Sequence, residues 1–202
     1  MIKKIVLMAI VMVSFLTTNV NAAISEDVVK ENIIKHSLEM GVDPALALSI
    51  AKKESGFKHE LKSPYGAVGV FQVLPSTAKK IGYNPYYLNE NIKAGLTYYK
   101  MMYKMFGTTE LALAAYNAGP GNVKKYGCTI PPFKETKRFV NVIMQDYQQL
   151  KNNPDPAIAK FVTKAAIATQ KQVSVEEKDT IELPDLKEIP EVKQNDSVME
   201  IL

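Results

Sequence analysis

The sequence predicts a compact all-α domain, on three observations. Apolar residues recur at helical spacing in six or seven segments within roughly 130 residues, and little of the chain reads as strand. Glycine, alone or beside proline, closes most of those segments, as expected at helix C-termini. Cys128 is the only cysteine, so no intrachain disulfide can form and stability must come from a packed core.

The 202 residues suffice for one domain plus appendages. Lys3 and Lys4 precede an apolar run from Ile5 to Leu16, broken only by Ser14, and then polar TTNVNAA. This reads as a secretory signal peptide over residues 1–22, cleaved after Ala22. Twelve residues are short of the roughly 20 needed to span a bilayer. No cysteine near the cleavage site offers a lipid anchor. The expected product is exported or periplasmic, with no membrane anchor after cleavage.

The helices can be taken in chain order. Ser25 caps a first helix with Glu26 and Asp27 in its first turn, and Gly41 ends it. Asp43 and Pro44 open a second, residues 45–54, apolar on most sides and so a core helix, which must stop near Ser55 and Gly56. Residues 63–72, with Pro64, Gly66 and Gly69, form a loop or short hairpin. Pro75 begins a short helix closed by Gly82. Asn89 or Asn91 opens a long helix to Phe106, and Thr108 or Thr109 caps the next, which breaks at Gly119-Pro120-Gly121. A short turn runs through Lys125. Phe139, Val140, Ile143, Met144 and Tyr147 place a last core helix over residues 134–150. The domain thus occupies residues 24–152, and residues 153–202 form a C-terminal extension. One amphipathic helix is expected over 155–170, then an acidic, proline-punctuated tail that reads as disordered. That tail is either a solvating extension or a docking segment for a partner.

Charge is unevenly placed. Residues 173–202 carry nine acidic and three basic side chains, whereas residues 23–172 hold 20 basic against 12 acidic, or +8. A basic exported domain is drawn to anionic polymers, of which nucleic acid and the cell wall are two. No nucleic-acid-binding motif occurs, so nucleic acid is not expected as a partner. His36 and His59 lie far apart without cysteine partners. Both read as surface residues, and no metal site is expected.

Glu54 stands where the core helix meets the loop. A carboxyl group there is partly desolvated, which raises its pKa and suits a general acid. A solvated helix-end residue among Lys52, Lys53 and Lys58 is the plainer reading. Three clusters bear on the choice. In Ser63-Pro-Tyr-Gly-Ala-Val-Gly-Val-Phe-Gln72 the small residues let a bulky ligand approach the backbone. Gln72 there offers a donor and an acceptor for a sugar hydroxyl or acetamide. In Ala115-Tyr-Asn-Ala-Gly-Pro-Gly-Asn-Val123, Tyr116 and Asn117 can present hydrogen-bonding groups to a cleft, or Tyr116 can be a core aromatic. In Pro131-Pro-Phe-Lys-Glu-Thr-Lys-Arg-Phe-Val140, Glu135 either favours the helix dipole or faces a substrate amide.

Together, Glu54-Ser55, GAVGVFQVLP, AYNAGPGNV and PPFKETKRFV resemble, in order, the soluble lytic transglycosylase (SLT) domain, a goose-type lysozyme-like fold. The resemblance covers residues 27 to 150 approximately. It implies that Glu54 is the catalytic acid/base, that Ser63, Tyr65 and Gln72 line the glycan cleft, that Tyr116 holds or orients the catalytic carboxyl, and that Glu135 contacts substrate from the far wall. Phe71 departs from the methionine often found before the glutamine, and Tyr65 from a smaller apolar residue. The signal peptide and short length are similar to small members that accompany secretion, pilus or conjugation machines, which would then be partners.

The implied reaction cuts the β-1,4 bond between N-acetylmuramic acid and N-acetylglucosamine in peptidoglycan. Glycosidases ordinarily need two carboxylates. Glu54 shares its motif with no second acid, and Glu60 and Glu135 are not fixed near it by sequence. A single-carboxylate route ending in a 1,6-anhydromuramoyl product, without cofactor, resolves this. The alternatives are a lysozyme-type hydrolase and a non-catalytic wall or secretion assembly protein.

Overall fold

The core helix runs through the middle of the molecule. The computed structural model describes residues 24–179, with side chains to residue 167; the expected signal peptide and the end of the acidic tail lie outside them. Eight helices occur among the described residues: α1 (Glu26–Glu39), α2 (Pro44–Ser55), α3 (Pro75–Lys80), α4 (Leu88–Phe106), α5 (Thr109–Ala118), α6 (Pro120–Lys125), α7 (Lys134–Asn152) and α8 (Pro156–Asp179). β structure among these residues is confined to two isolated bridges, Lys62 with Val68 and Val68 with Val73, in the loop before α3. The all-α class is as the sequence predicts.

Helix α2 is buried from Ala45 to Ala51, packed on α1 and α7. Helix α5 packs on α4, α6 and α7. Leu48, Ile50, Ile33, Ile34, Ile92, Leu96, Leu113 and Ile143 are 0–1% exposed and fill the space between these helices. Each such side chain contributes about 1.5–3 kcal/mol by leaving water. Helices α2 and α7 run antiparallel. Asp43, the α2 N-cap, accepts from Tyr147 and Lys151 late in α7, while Lys53 near the α2 C-terminus lies over the Phe139 ring early in α7.

Three expectations are corrected. His36 is not a surface residue: it is 4% exposed, its Nδ1 2.9 Å from Glu39 and its Nε2 3.2 Å from Asn89. The α1 face turned to the core holds Val29, Ile33, Ile34, His36 and Ser37, leaving Val28 and Leu38 exposed. His59 is half-buried and bonds the Tyr86 carbonyl at 3.1 Å. The long helix α4 opens at Leu88, with Tyr87 as N-cap, rather than at Asn89 or Asn91. Both asparagines are engaged elsewhere, Asn89 on His36 and Asn91 on the loop before α3. Lastly, α8 continues to Asp179 instead of ending near residue 170, so the first residues of the acidic tail are helical. No glycine or proline interrupts residues 157–183, and only tail residues from 180 on lie outside the description.

The chain divides into two units at Ile158 and Ala159. The first contains α1 to α7 and every motif discussed above. The second begins within α8, at Ala159, and takes in the rest of the chain.

Candidate active site

Helix α2 ends by design at the residue after Ser55. Gly56 takes the left-handed conformation at φ 58°, and its N–H returns to the Lys52 carbonyl. This fixes Glu54 in the last turn, where the buried helix emerges. The carboxyl group is half-buried. Loss of water pushes its pKa up to about 8, with the adjacent Lys53 ammonium pulling it down and the Glu135 carboxylate raising it further. No ion pair to Glu54 forms within the described residues. An acid so placed is largely protonated at neutral pH.

The loop before α3 is held against this end of α2 by side chains from three helices. Ser55 Oγ donates to Val70 O at 2.9 Å. Asn91 of α4, fully buried, accepts from Phe71 N at 2.9 Å and donates to Val68 O and Pro85 O at 2.8 and 3.0 Å. Tyr116 of α5 donates to Phe71 O at 2.8 Å. Both backbone groups of Phe71 are therefore tied by side chains, and its ring lies where a Cβ on Gly95 would come within 2.4 Å of it. Gly95 is needed for that approach. Gly69 is needed likewise: a Cβ there would meet Asn91 at 2.3 Å.

Gln72 follows Phe71 in left-handed backbone, φ 45°, a conformation that costs a non-glycine residue roughly 1–2 kcal/mol. Its side-chain amide offsets this by donating to Gly69 O at 2.8 Å and Leu61 O at 3.1 Å. The amide oxygen has no protein partner among the described residues. Backbone strain of this kind clusters at functional positions.

The sequence-predicted residues fall into two groups. Gln72, Tyr116 and Asn117 share a pocket of about 250 Å³ with Tyr98 and Thr77. Glu135 lines a second, of about 410 Å³, with Lys53, Lys134 and Arg138. Glu54 responds to the charges of Lys53 and Glu135 from the second pocket, and its own charge raises the pKa of Tyr116 in the first, after the larger effect of burial. The acid thus interacts electrostatically with residues of both pockets, though it lines neither. Ser63 and Tyr65 line neither pocket. Ser63 closes the turn, its N–H on Ala67 O at 2.8 Å and its Oγ accepting from Ala67 N at 3.0 Å, while Tyr65 is 91% exposed.

Tyr116 does not hold the carboxyl by donation, because the one proton of its hydroxyl goes to Phe71 O. It is buried, stacked on Phe139 at 6.5 Å and tilted against Tyr98 at 5.3 Å, as a core aromatic with a satisfied hydroxyl would be, and it also lines the pocket with Gln72 and Asn117. Asn117 accepts from Thr136 Oγ1 at 2.8 Å, which joins the end of α5 to the start of α7. Its amide nitrogen remains for a ligand. Sequence reasoning missed Asn91, Thr136 and Tyr98, whose partners or pocket neighbours lie far off in the chain.

A larger cavity, of about 680 Å³, opens at the opposite end of α2 beside Asp43 and Tyr147. Eleven residues of helix place it about 16 Å from Glu54. Its one carboxyl group, Asp43, has a lowered rather than a raised pKa.

Helices packed around a buried one that ends in a partly desolvated carboxyl group define a lysozyme-like domain. The model of the family described as the Transglycosylase SLT domain matches residues 31–138, and the chain belongs to this family. It is 34% identical to the soluble lytic murein transglycosylase of Escherichia coli strain K12, over 52% of this chain and 20% of that one. A transglycosylase of Enterobacteria phage PRD1 is 29% identical, over 63% of this chain and 46% of the phage protein. Among solved structures, the 70 kDa soluble lytic transglycosylase of Escherichia coli aligns with TM-score 0.53 and 29% identity, covering 63% of this chain and 25% of that one. The lytic transglycosylase Slt of Pseudomonas aeruginosa, an inactive Glu-to-Gln mutant, aligns with TM-score 0.54 and 28% identity, covering 62% and 25%. The chain thus spans a fifth to a quarter of the length of its bacterial relatives.

Proposed function

We propose that this chain is a peptidoglycan lytic transglycosylase in which Glu54 serves as both acid and base. The observation that carries the reading is a carboxyl group whose pKa burial pushes up to about 8, within reach of the charges of Lys53 and Glu135, on the scaffold of the SLT family. A similar protein made inactive by a Glu-to-Gln change supports an essential glutamate. Glu54 protonates the oxygen bridging N-acetylmuramic acid to N-acetylglucosamine, and the C1–O bond breaks. The 2-acetamido oxygen of the muramoyl sugar stabilises C1. The Glu54 carboxylate then takes the proton of the C6 hydroxyl, and O6 closes on C1 as the 1,6-anhydro ring. The nucleophile is intramolecular, and such attack lowers barriers by about 7–11 kcal/mol.

Gln72 Oε1, the Asn117 amide nitrogen and Tyr98 suit sugar hydroxyls and acetamides in the smaller pocket. Tyr116 fixes the loop that carries Gln72. Ser63 shapes that loop, and exposed Tyr65 is placed to meet a distant sugar of a long strand. The net +8 of residues 23–172 suits an anionic wall, reached by export through the signal peptide. A secretion, pilus or conjugation machine is the kind of assembly that would need such a local cutter.

One observation favours a second reading. Glu135 is close enough to raise the pKa of Glu54, and a second carboxylate is what a hydrolase needs to activate water. Mass spectrometry of digested peptidoglycan separates the two. Products lighter by one water, the anhydromuropeptides, support the lyase; reducing-end products support the hydrolase.

A further inference from the structure

The pocket beside Glu54 has a charge pattern that acid chemistry does not require. Lys53 comes from α2, and Lys134 and Arg138 from successive turns of α7, around the single carboxylate of Glu135. None of the four forms an ion pair within 4 Å among the described residues; Lys53 rests its ammonium over the Phe139 ring at 5.4 Å. Helix stability argues against this placement. Lys134 occupies the first turn of α7, where the dipole favours anions, and Arg138 four residues on repeats its charge on the same side. The first turn of α7 also lacks a side-chain cap. By contrast Lys30, Lys52 and Lys151 each pair with an acid.

Building on the lytic reading, we propose that Lys53, Lys134 and Arg138 form a subsite for free carboxylates on the peptide substituent of the glycan strand. Lys53 and Glu135 lie close enough for their charges to act on Glu54, so the group this subsite holds lies near the bond being broken. A guanidinium binds a carboxylate through two parallel hydrogen bonds, and the two ammonium groups add point charge. Glu135 selects within the anions: it repels a dianionic phosphate and accepts an N–H from a peptide. The subsite therefore favours peptide-bearing strands with unmasked carboxylates over the same strands with those carboxylates amidated.

The test compares kcat/KM on peptidoglycan strands before and after chemical amidation of the peptide carboxylates. Wild type should prefer the free acids by about tenfold. Lys134→Met combined with Arg138→Met should bring that ratio close to one, and Lys134→Arg should retain it. Calorimetric titration of the Glu54→Gln protein with a soluble disaccharide-peptide, free or amidated, reads the subsite without turnover. Tighter binding of the free acid, relieved by the double change, supports the subsite even where no strand is cut, a result that would overturn only the lytic reading. Equal rates and equal binding for free and amidated ligands overturn the subsite. So does inhibition by inorganic phosphate, at fixed ionic strength, that matches inhibition by the peptide.

Discussion

Helix α2 carries a carboxylate at each end, and the two are treated in opposite ways. At its start, Asp43 is partly shielded from water, which by itself would raise its pKa. Bonds from Lys151, the Ala45 N–H and Tyr147 outweigh that and hold the group below its ordinary range. At its end, Glu54 loses water without gaining a donor, and its pKa climbs to about 8. Asp43 fastens α2 to α7; Glu54 is left with a proton to give. Burial alone does not distinguish structural from chemical carboxylates. The presence or absence of donors does.

The strongest way to break this contrast is at Glu54. Glu54→Gln should lower kcat by about 10²–10⁴, the usual contribution of general acid–base catalysis, in an assay of glycan release. Thermal unfolding should show the variant as stable as wild type or more so. Because the folded pKa lies above the ordinary value of 4.5, the charged form is disfavoured on folding. Wild type therefore loses stability relative to the glutamine variant as pH rises from about 4.5 to about 8, and the gap is constant beyond. In the wild type, kcat/KM should fall as pH rises through about 8, as the acid loses its proton.

The setting of Glu54 can be disturbed without touching it. Asn91→Ala strands Phe71 N, Val68 O and Pro85 O in the interior and should destabilise the domain by about 3 kcal/mol, read by urea unfolding. At the other end of the helix, Asp43→Ala removes the cap and should cost about 1–2 kcal/mol while leaving kcat little changed at permissive temperature. Its pH dependence runs the other way from that of Glu54. The Asp43 contribution is full above the ordinary carboxyl pKa of 3.8 and disappears as pH falls through the lowered folded value. Tyr116→Phe is the mildest change: it removes the bond to Phe71 O, costs about 1 kcal/mol, and should reduce kcat through the loop that carries Gln72.

Much of this architecture was legible in the sequence because local chemistry and tertiary structure agree. Asp43-Pro44 at the start of α2 and Gly56 at its end mark the helix that the fold is built on, and its position alone raised the question of a desolvated Glu54. The all-α class came from helical spacing. The hidden features depend on partners distant in the chain. Asn89 and Asn91 look like helix caps, but tertiary bonds to His36 and to Phe71 claim them. His36 has nothing in its neighbours to say that it faces inward. Tyr116 was placed at the site by resemblance, yet the group its hydroxyl bonds, a loop carbonyl 45 residues earlier, is visible only in the fold. The cationic pocket likewise joins residues 53 and 134–138, and no local pattern foretells it.

The most direct measurement is the titration of the Glu54 side chain itself. Carbon-13 NMR of glutamate-labelled protein, with Glu54→Gln to assign the resonance, gives its midpoint. A midpoint near 8 is the expected result. A midpoint near the ordinary 4.5 would mean a hydrated carboxylate with no proton to donate at neutral pH, and would contradict the account.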